Sequence, residues 1–491
     1  MLNFFSANKR KITLFAAIVF GIYLLYFHNL WSYKLLDVDE TRYVDMARTM
    51  FQNREFNTLY LNGDYFFEKP PLFFWIESLS FYIFNCISEF TARIPIALQA
   101  LLAALAVYFV GLKVVSKKFA VVSALIFATS LEVIMLSKIA ILDMLLSSCI
   151  IISTFFGFLT FFAEEKNKKY CWIIFYLFSA LATLAKGIPG VVIPFGTMFF
   201  AGIYTKKFKE FFRPQYFLVG ACLFLLVVLP WHILMLKTHG QLFFDEYIIK
   251  HHLLRFIGSE VIHRSRPIWY YFGVIGWGFL PWIFPFLVLL VKKAKTFKYK
   301  KYADLDAKGK FLALNIIGAV FTLAFFSSSG TKLITYILPI YSFLAVILAS
   351  LFNLENIKTQ KGIGICVFMM MLAAAFVTPL AMNIDYKYGQ NDLMEYAQTS
   401  AAEDKNIVTY NTGRRYSLLY YSGSDKIDFL EKKELDKLSD YLKDEDYTVI
   451  IRNKDLKLLK QLPYTVEKQG AKYSVITSPE NVSNSEEKTS K

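Results

Sequence analysis

Charge is scarce in this sequence, and several other common signposts are missing with it. Only 19% of the residues are Asp, Glu, Lys or Arg, whereas 56% are hydrophobic. A soluble domain carries about a quarter charged residues. The five cysteines (Cys86, Cys149, Cys171, Cys222 and Cys366) are odd in number and lie in or beside apolar segments. That pattern fits neither a disulfide framework nor a cysteine metal cage, and it reads as small buried side chains. No Gly-rich phosphate loop and no internal repeat is present, which argues against nucleotide chemistry and solenoid folds. The net charge of +15 could suggest nucleic acid. Its lysines fall in short loops between apolar runs and not on one amphipathic face, so no nucleic-acid partner is expected.

What the sequence has instead is long apolar runs. A bilayer core of roughly 30 Å needs about 20 such residues in helix, and eleven stretches approach that length: 12–30, 93–112, 119–137, 141–163, 170–186, 188–204, 215–236, 268–291, 311–328, 333–352 and 362–382. The first follows Lys9-Arg10-Lys11. It is too long for a signal-peptide core and has no small-residue cleavage site after it, so it reads as a retained span. With the N-terminus in the cytoplasm, every inside loop is basic: Lys113, Lys117 and Lys118; Lys166, Lys168 and Lys169; Lys206, Lys207, Lys209 and Arg213; the 292–310 stretch; Lys358 and Lys361. This is the positive-inside pattern, and it sets residues 383–491 outside. The expected fold is a polytopic α-helical membrane protein, 1–382, with a small α/β extracytoplasmic domain.

Two loops on the outer side are long, 31–92 and 237–267. In the first, Glu40–Gln52 reads as an amphipathic helix. A second helix rich in Phe, Tyr and Trp starts at Pro70-Pro71 and suits the membrane interface. Beyond 383, Ile407–Tyr410, Tyr447–Ile451 and Tyr473–Ile476 read as strands, and Lys432–Leu442 and Lys454–Leu462 as helices. The domain then covers 383–477, and the polar tail 478–491 reads as disordered.

Topology gathers the ionisable residues. Asp39, Glu40, Arg42, Glu68, Lys69, Lys138, Asp143, Lys186, His252, Arg255 and Lys332 all fall in outer loops or at outer helix ends. Such groups at membrane level commonly face a cavity. Asp39, Arg42, Tyr43 and Met46 share a helical face. Asp39 is there either a cap paired with Arg42, worth about 1 kcal/mol, or an acceptor-orienting carboxylate beside a phosphate-binding arginine. Lys69 before Pro70 is either a lysine snorkelling to head groups or a phosphate ligand at a helix start. His251-His252-x-x-Arg255 is either a hydrogen-bonded structural pair or part of an anion site, and Arg255 suits phosphate or carboxylate. Lys332 and Tyr336, one turn apart, are either an interfacial belt or the mouth of that site.

Four motifs in order carry a resemblance: Asp39-Glu40-Thr41-Arg42-Tyr43; Phe67-Glu68-Lys69-Pro70-Pro71-Leu72 with Trp75; His252-x-x-Arg255-Phe256; and Lys332-Leu333-x-x-Tyr336-x-Leu338-Pro339. Over residues 1 to 382 the chain resembles the GT-C fold polyprenyl-phosphate-sugar glycosyltransferases of the protein O-mannosyltransferase superfamily. It looks most like the bacterial lipid A 4-amino-4-deoxy-L-arabinose transferases. The resemblance implies that Asp39, with Glu40 and Asp143, carries the catalytic carboxylates. It implies that Arg42, Lys69, Arg255, Lys332 and Tyr336 hold the donor phosphate, and that Glu68 and His252 hold a divalent metal ion (Zn, Mg or Mn). The chain departs from that family in span number, eleven against thirteen.

The expected reaction is inverting sugar transfer from a polyprenyl-phosphate donor to lipid A, at the outer face of a bacterial inner membrane. A protein acceptor is the alternative within the same donor class. A flippase of lipid-linked sugars is a further alternative, but it would place ionisable groups and Gly/Pro-broken helices near the bilayer midplane.

Overall fold

Each of the eleven apolar runs carries helix. The computed structural model describes residues 12–13, 16–254, 266–296, 298, 300–388, 390–459 and 462–479, without the side chains of 252, 377–388 and 390. Arg255, His263, Arg264 and the tail from 480 onward therefore lie outside the described residues, as does the side chain of His252. The chain divides into two compact units. The first comprises Met1–Leu30, Phe67–Ile76 and Arg93–Val377; the second comprises Trp31–Phe66, Glu77–Ala92 and Thr378–Lys491.

The first unit is a helix bundle. Its helices are α1 (Ala16–Phe27), the start of α3 (Leu72–Phe84), and α4 (Glu89–Val114) from Arg93 on. They continue with α5 (Lys117–Ala128), α6 (Leu131–Leu136), α7 (Leu142–Leu159), α8 (Glu165–Lys186), α9 (Ile188–Thr205), α10 (Phe208–Phe211) and α11 (Pro214–Phe243). Then come α12 (Tyr270–Gly278), α13 (Ile283–Lys295), α14 (Ala307–Ser328), α15 (Ile340–Leu351) and α16 (Ile357–Tyr388). The second unit contains α2 (Asp39–Asn53), described below with its sheet.

Apolar all round, α7 has 94% of its apolar window buried and packs against α8 and α9. Its few polar groups are matched in place: Ser153 Oγ lies 2.8 Å from Ser179 Oγ, and Ser148 donates to Gln99 at 2.8 Å. The outer helix α11 is the opposite case. Only 17% of its window is buried, and Leu218, Leu226 and Ile233 face outward. An exposed apolar surface of this extent suits lipid. Among the described residues six helices are long and apolar enough to cross a bilayer, or seven if the bent pair α12–α13 counts as one. The protein is a multi-pass membrane protein.

Three of the expected spans differ from plain rods. The 119–137 run breaks between α5 and α6, where Thr129 Oγ1 and Ser130 Oγ turn back to the carbonyls of Leu125 and Ile126. The 268–291 run bends by 114° between α12 and α13, where Pro281 has no amide hydrogen to continue the helix. The two breaks brace each other, since Leu131 N donates to Leu280 O at 3.2 Å and Trp282 Nε1 donates to Thr129 Oγ1 at 3.0 Å. The third difference is at the end: α16 runs through residue 382 to Tyr388 and does not stop where the apolar run does.

The second unit is built on a five-stranded sheet in the order β4-β3-β5-β7-β6. Its strands are β3 (Asn406–Tyr410), β4 (Asp428–Leu430), β5 (Tyr447–Arg452), β6 (Thr465–Gln469) and β7 (Tyr473–Thr477). β4, β3 and β5 run parallel, while β7 and β6 are antiparallel. Alternate residues feed two cores, as the two-residue strand period requires. Ile407 and Ile450 pack with α17 (Gln390–Ala402) and α18 (Ser417–Ser422). Val408, Tyr410, Val449 and Ile451 pack with Leu438 and Leu442, on and beside α19 (Leu435–Tyr441). The expected strands are thus present. β4 and β6 were not expected, because one is three residues long and the other, Thr-Val-Glu-Lys-Gln, is an exposed edge without apolar alternation.

The segment 31–66, with its hairpin β1 (Tyr60–Leu61) and β2 (Asp64–Tyr65), belongs to this unit. The Asp37 carboxylate accepts from Thr41 Oγ1 at 2.6 Å, Ser417 N at 2.9 Å and Ser417 Oγ at 2.6 Å. Arg48 donates to the carbonyls of Gly423 and Ser424, and Asn62 exchanges two bonds with the Ile427 backbone.

Candidate functional site

In the first unit the residues Phe67-Glu68-Lys69 approach α11 from the start of α3. Phe67 is clamped among Trp231, Met235, Phe243 and Tyr247. The prolines Pro70-Pro71 then fix the entry to α3, whose first residue is Leu72. Anchored this way, Lys69 is buried, with Nζ 3.0 Å from the Glu68 carbonyl and 3.9 Å from its carboxylate.

Opposite stands the α8–α9 turn. Lys186 ends α8, and Gly187, at φ 81°, reverses the chain into α9. The two helices touch backbone to backbone, since a Cβ on Gly190 would sit 2.2 Å from the Ala182 carbonyl carbon. Only glycine permits that approach. Lys186 thereby reaches Asp143, in the first turn of α7, at 2.5 Å, and its ammonium lies 4.3 Å over the Tyr336 ring. Asp143 is a favourable charge at a helix N-terminus. Tyr336 stands on the short 3-10 turn Ile334–Ile337.

These groups enclose a pocket of about 90 Å³ lined by Glu68, Lys69, Lys186, His251, Ser329, Thr331 and Tyr336, with Leu146, Pro189, Phe325 and Phe326 as its apolar wall. Small-molecule pockets run to roughly 300–1,000 Å³, so this one takes a single head group and not a whole donor. Lys332 is buried next to it and donates to Ser329 O at 2.6 Å. Burial pushes its ammonium below the ordinary lysine range. Lys69 on the wall meets the Glu68 carboxylate and Lys186 the Asp143 carboxylate, and Lys332 behind them leaves the excess cationic.

Histidine enters from α11's continuation, Phe244–Leu254. His251 lines the pocket, 4.0 Å from Glu68 and 3.6 Å from Glu246, and the His252 side chain lies outside the described residues. Among the described residues no three His, Cys, Asp or Glu side chains gather to hold a metal ion. Lys138, also a candidate, has its ammonium 3.2 Å from the His28 and Ala374 carbonyls and serves to tie α1 and α16 together.

In the second unit, Asp39 and Arg42 form the expected pair at 2.9 Å, with Asp39 half exposed. Arg42 also donates to Tyr43 Oη at 2.9 Å, and its guanidinium lies 4.8 Å from the Tyr43 ring and 5.8 Å from Phe66. Glu40 is placed otherwise: it is buried and accepts from Leu36 N at 2.7 Å, holding the start of α2. Glu77 is fully buried in α3, and neither carboxyl oxygen has a hydrogen-bond partner. Burial, and then the Glu40 charge, push its carboxyl well above the usual range.

Of the residues named from the sequence, the structure brings Glu68, Lys69, Asp143 and Tyr336 together; Lys186, which the sequence gave no role, joins two of them. It also passed over Glu132, which accepts from Tyr341 Oη at 2.5 Å beneath Gly278. A lone carboxylate inside an apolar run was the available signal.

Comparison with known proteins follows the same lines. Residues 11–244 match the family described as dolichyl-phosphate-mannose-protein mannosyltransferase. An uncharacterised protein of Aquifex aeolicus is 30% identical over 75% of this chain and 80% of its own length. The undecaprenyl phosphate-alpha-4-amino-4-deoxy-L-arabinose arabinosyl transferase of Wigglesworthia glossinidia brevipalpis is 29% identical over 72% of this chain. The match spans 61% of that transferase. The crystal structure of ArnT from Cupriavidus metallidurans bound to undecaprenyl phosphate superposes with a TM-score of 0.74 at 17% identity, covering 95% of this chain and 97% of that one. At that identity the likeness is one of fold, and it extends through the C-terminal sheet.

Proposed function

This chain belongs to the GT-C fold glycosyltransferases of the protein O-mannosyltransferase superfamily, and from that premise we propose that it moves a sugar from a polyprenyl-phosphate carrier to lipid A. The single observation that carries the reading is the small cationic pocket holding Lys69 and Lys186 beside Tyr336. It has the size and charge for one phosphate. The transferase of Wigglesworthia glossinidia brevipalpis carries the donor class, an undecaprenyl-phosphate sugar, in its name.

The chemistry is one displacement. An acceptor oxygen attacks the anomeric carbon, the bond from that carbon to the carrier phosphate oxygen breaks, and the electron pair leaves on the phosphate. Lys69 and Lys186 neutralise the growing charge, which is where fixed cations accelerate most. Asp143 holds the Lys186 ammonium in place across 2.5 Å. In the second unit Asp39 and Tyr43 hold Arg42; the family resemblance gives Asp39 the acceptor and Arg42 a phosphate.

The site faces the extracytoplasmic side of the inner membrane, with the N-terminus in the cytoplasm. Basic loops support this orientation, and they are cross-tied: Lys118 pairs with Glu355 at 2.6 Å and Lys168 with Glu210 at 3.4 Å. A protein hydroxyl is the second acceptor, favoured by the protein mannosyltransferase description of the matching family.

The test uses membranes supplied with radiolabelled polyprenyl-phosphate sugar. Wild type labels lipid A, while Lys69→Ala and Lys186→Ala slow the transfer by about 10²-fold or more. Undiminished transfer in both variants sinks the phosphate assignment. Label arriving in protein transfers the reading to the second acceptor.

A further inference from the structure

The C-terminal sheet has a site of its own. β3 leads through α18 to β4 on one flank, and α18 packs on one face of the sheet. β4 leads back through α19, on the other face, to β5 on the opposite side of β3. The connections therefore diverge between β3 and β5. In open parallel sheets that switch point, outside the carboxyl ends of the strands, is where ligands bind.

The residues found there are cations. Arg415 follows β3; Arg452 ends β5 and Lys454 follows it; Lys472 precedes β7. With Asn453 and Ala471 they line a crevice of about 460 Å³. The crevice is built, not incidental. Arg452 donates to Thr412 O at 2.7 Å, which joins the β3 and β5 loops. Asn453 donates to Gly470 O at 2.9 Å, accepts from Ser474 Oγ at 2.7 Å, and bonds the Lys472 carbonyl through its own amide at 3.0 Å. The Nε atoms of Arg415 and Arg452 are buried without a hydrogen-bond partner. Asp392 and Asp455 are the acidic residues bonded nearby, Asp392 to the Lys472 amide and Asp455 to Asn411, and neither lines the crevice. Burial first, and then the charges of Arg415, Arg452 and Lys454, push the Lys472 ammonium below its ordinary range. Four cations gathered on one rim repel each other until an anion joins them.

We propose that this crevice binds a phosphate group, with Arg415 and Arg452 as fork donors and Lys454 and Lys472 as counter-charges. It is separate from the sugar-transfer pocket and does not rest on the transfer reading. Two sources share the chemistry: the phosphorylated head group of a glycolipid, and a free phosphate ion.

Titration calorimetry on the full-length protein in detergent tests it, with inorganic phosphate as probe and sulfate and chloride as controls. The expected result is saturable phosphate binding that weakens at least tenfold in Arg415→Ala/Lys454→Ala, with an unchanged melting temperature. Lys69→Ala keeps this binding, which separates it from the transfer pocket. A second arm offers a phosphorylated glycolipid and its dephosphorylated form in nanodiscs. Preference for the phosphorylated lipid assigns the head group as ligand, and binding of inorganic phosphate alone assigns the free ion. Absence of binding in both arms, or binding that Arg415→Ala/Lys454→Ala leaves unaltered, overturns the site.

Discussion

Lys186 and Asp143 meet at 2.5 Å with about 11% and 10% of their side chains exposed, and this contact joins the end of α8 to the first turn of α7. Removing one partner of a buried pair costs roughly 3–5 kcal/mol, because the other charge stays behind unmatched. Lys186→Ala is therefore expected to lower thermal stability as well as transfer. The neutral double variant Asp143→Asn/Lys186→Gln is expected to regain most of the stability and none of the transfer. Melting curves in detergent, read beside transfer rates, separate the two effects.

Gly190→Ala tests how the α8–α9 turn holds that lysine. The new methyl would fall 2.2 Å from backbone at Ala182, so the helices must part. Overpacking of this kind costs about 1–3 kcal/mol, and a shift of the turn carries Lys186 off its partners. We expect a lowered melting temperature and reduced transfer, with donor KM raised. A variant that melts and turns over like wild type would show that the helices can separate freely.

Asp37→Ala removes three accepted hydrogen bonds at once. A hydrogen bond to a charged group contributes about 1.5–3 kcal/mol net of water; three on one carboxylate do not add in full, and a loss of about 3 kcal/mol in the second unit is expected. Limited proteolysis reads it as earlier cutting in 411–424, and Asp37→Asn should fall between wild type and alanine.

Glu77 carries a pH dependence. Its carboxyl titrates well above the ordinary range when folded, because burial and then Glu40 disfavour the charge. A raised folded value means stability that is complete below the ordinary carboxylate range and is lost as pH rises through the raised value. Glu77→Gln stays neutral and should lose less stability than wild type as pH rises above the ordinary carboxylate range. Parallel melting temperatures for the two proteins over that rise would mean a charged Glu77.

Much of the bundle was legible because membrane thickness imposes a length on each apolar run. Hydropathy is silent about how a run is interrupted. Thr129 and Pro281 sit inside stretches that stay apolar on both sides, so two broken helices looked like rods. In the site, the Phe67–Pro71 strip announced itself by residue type. Lys186 did not, since its meaning comes from Asp143 on another helix, and one sequence offers no distances. His251 illustrates a finer limit: it lines the pocket from the π-helical segment Phe244–Leu254 after α11, a change of helical phase that residue spacing does not announce. The C-terminal strands were readable from their β-branched runs, while edge strands with polar sequences were not.

The second unit is sewn from Trp31–Phe66, Glu77–Ala92 and Thr378–Lys491, and this imposes an order on how the protein is made. Asp37, Arg48 and Asn62 leave the ribosome early, yet Ser417, Gly423 and Ile427 are translated only after all of Arg93–Val377. The partners lie 365 to 380 residues apart, so at about 5–20 residues per second the wait is roughly 20–75 s. Throughout that interval the early segment is without its bonding partners, open to proteases and to chaperones that hold such segments. The yield of mature protein should then respond to the speed of membrane insertion as much as to the stability of the finished fold.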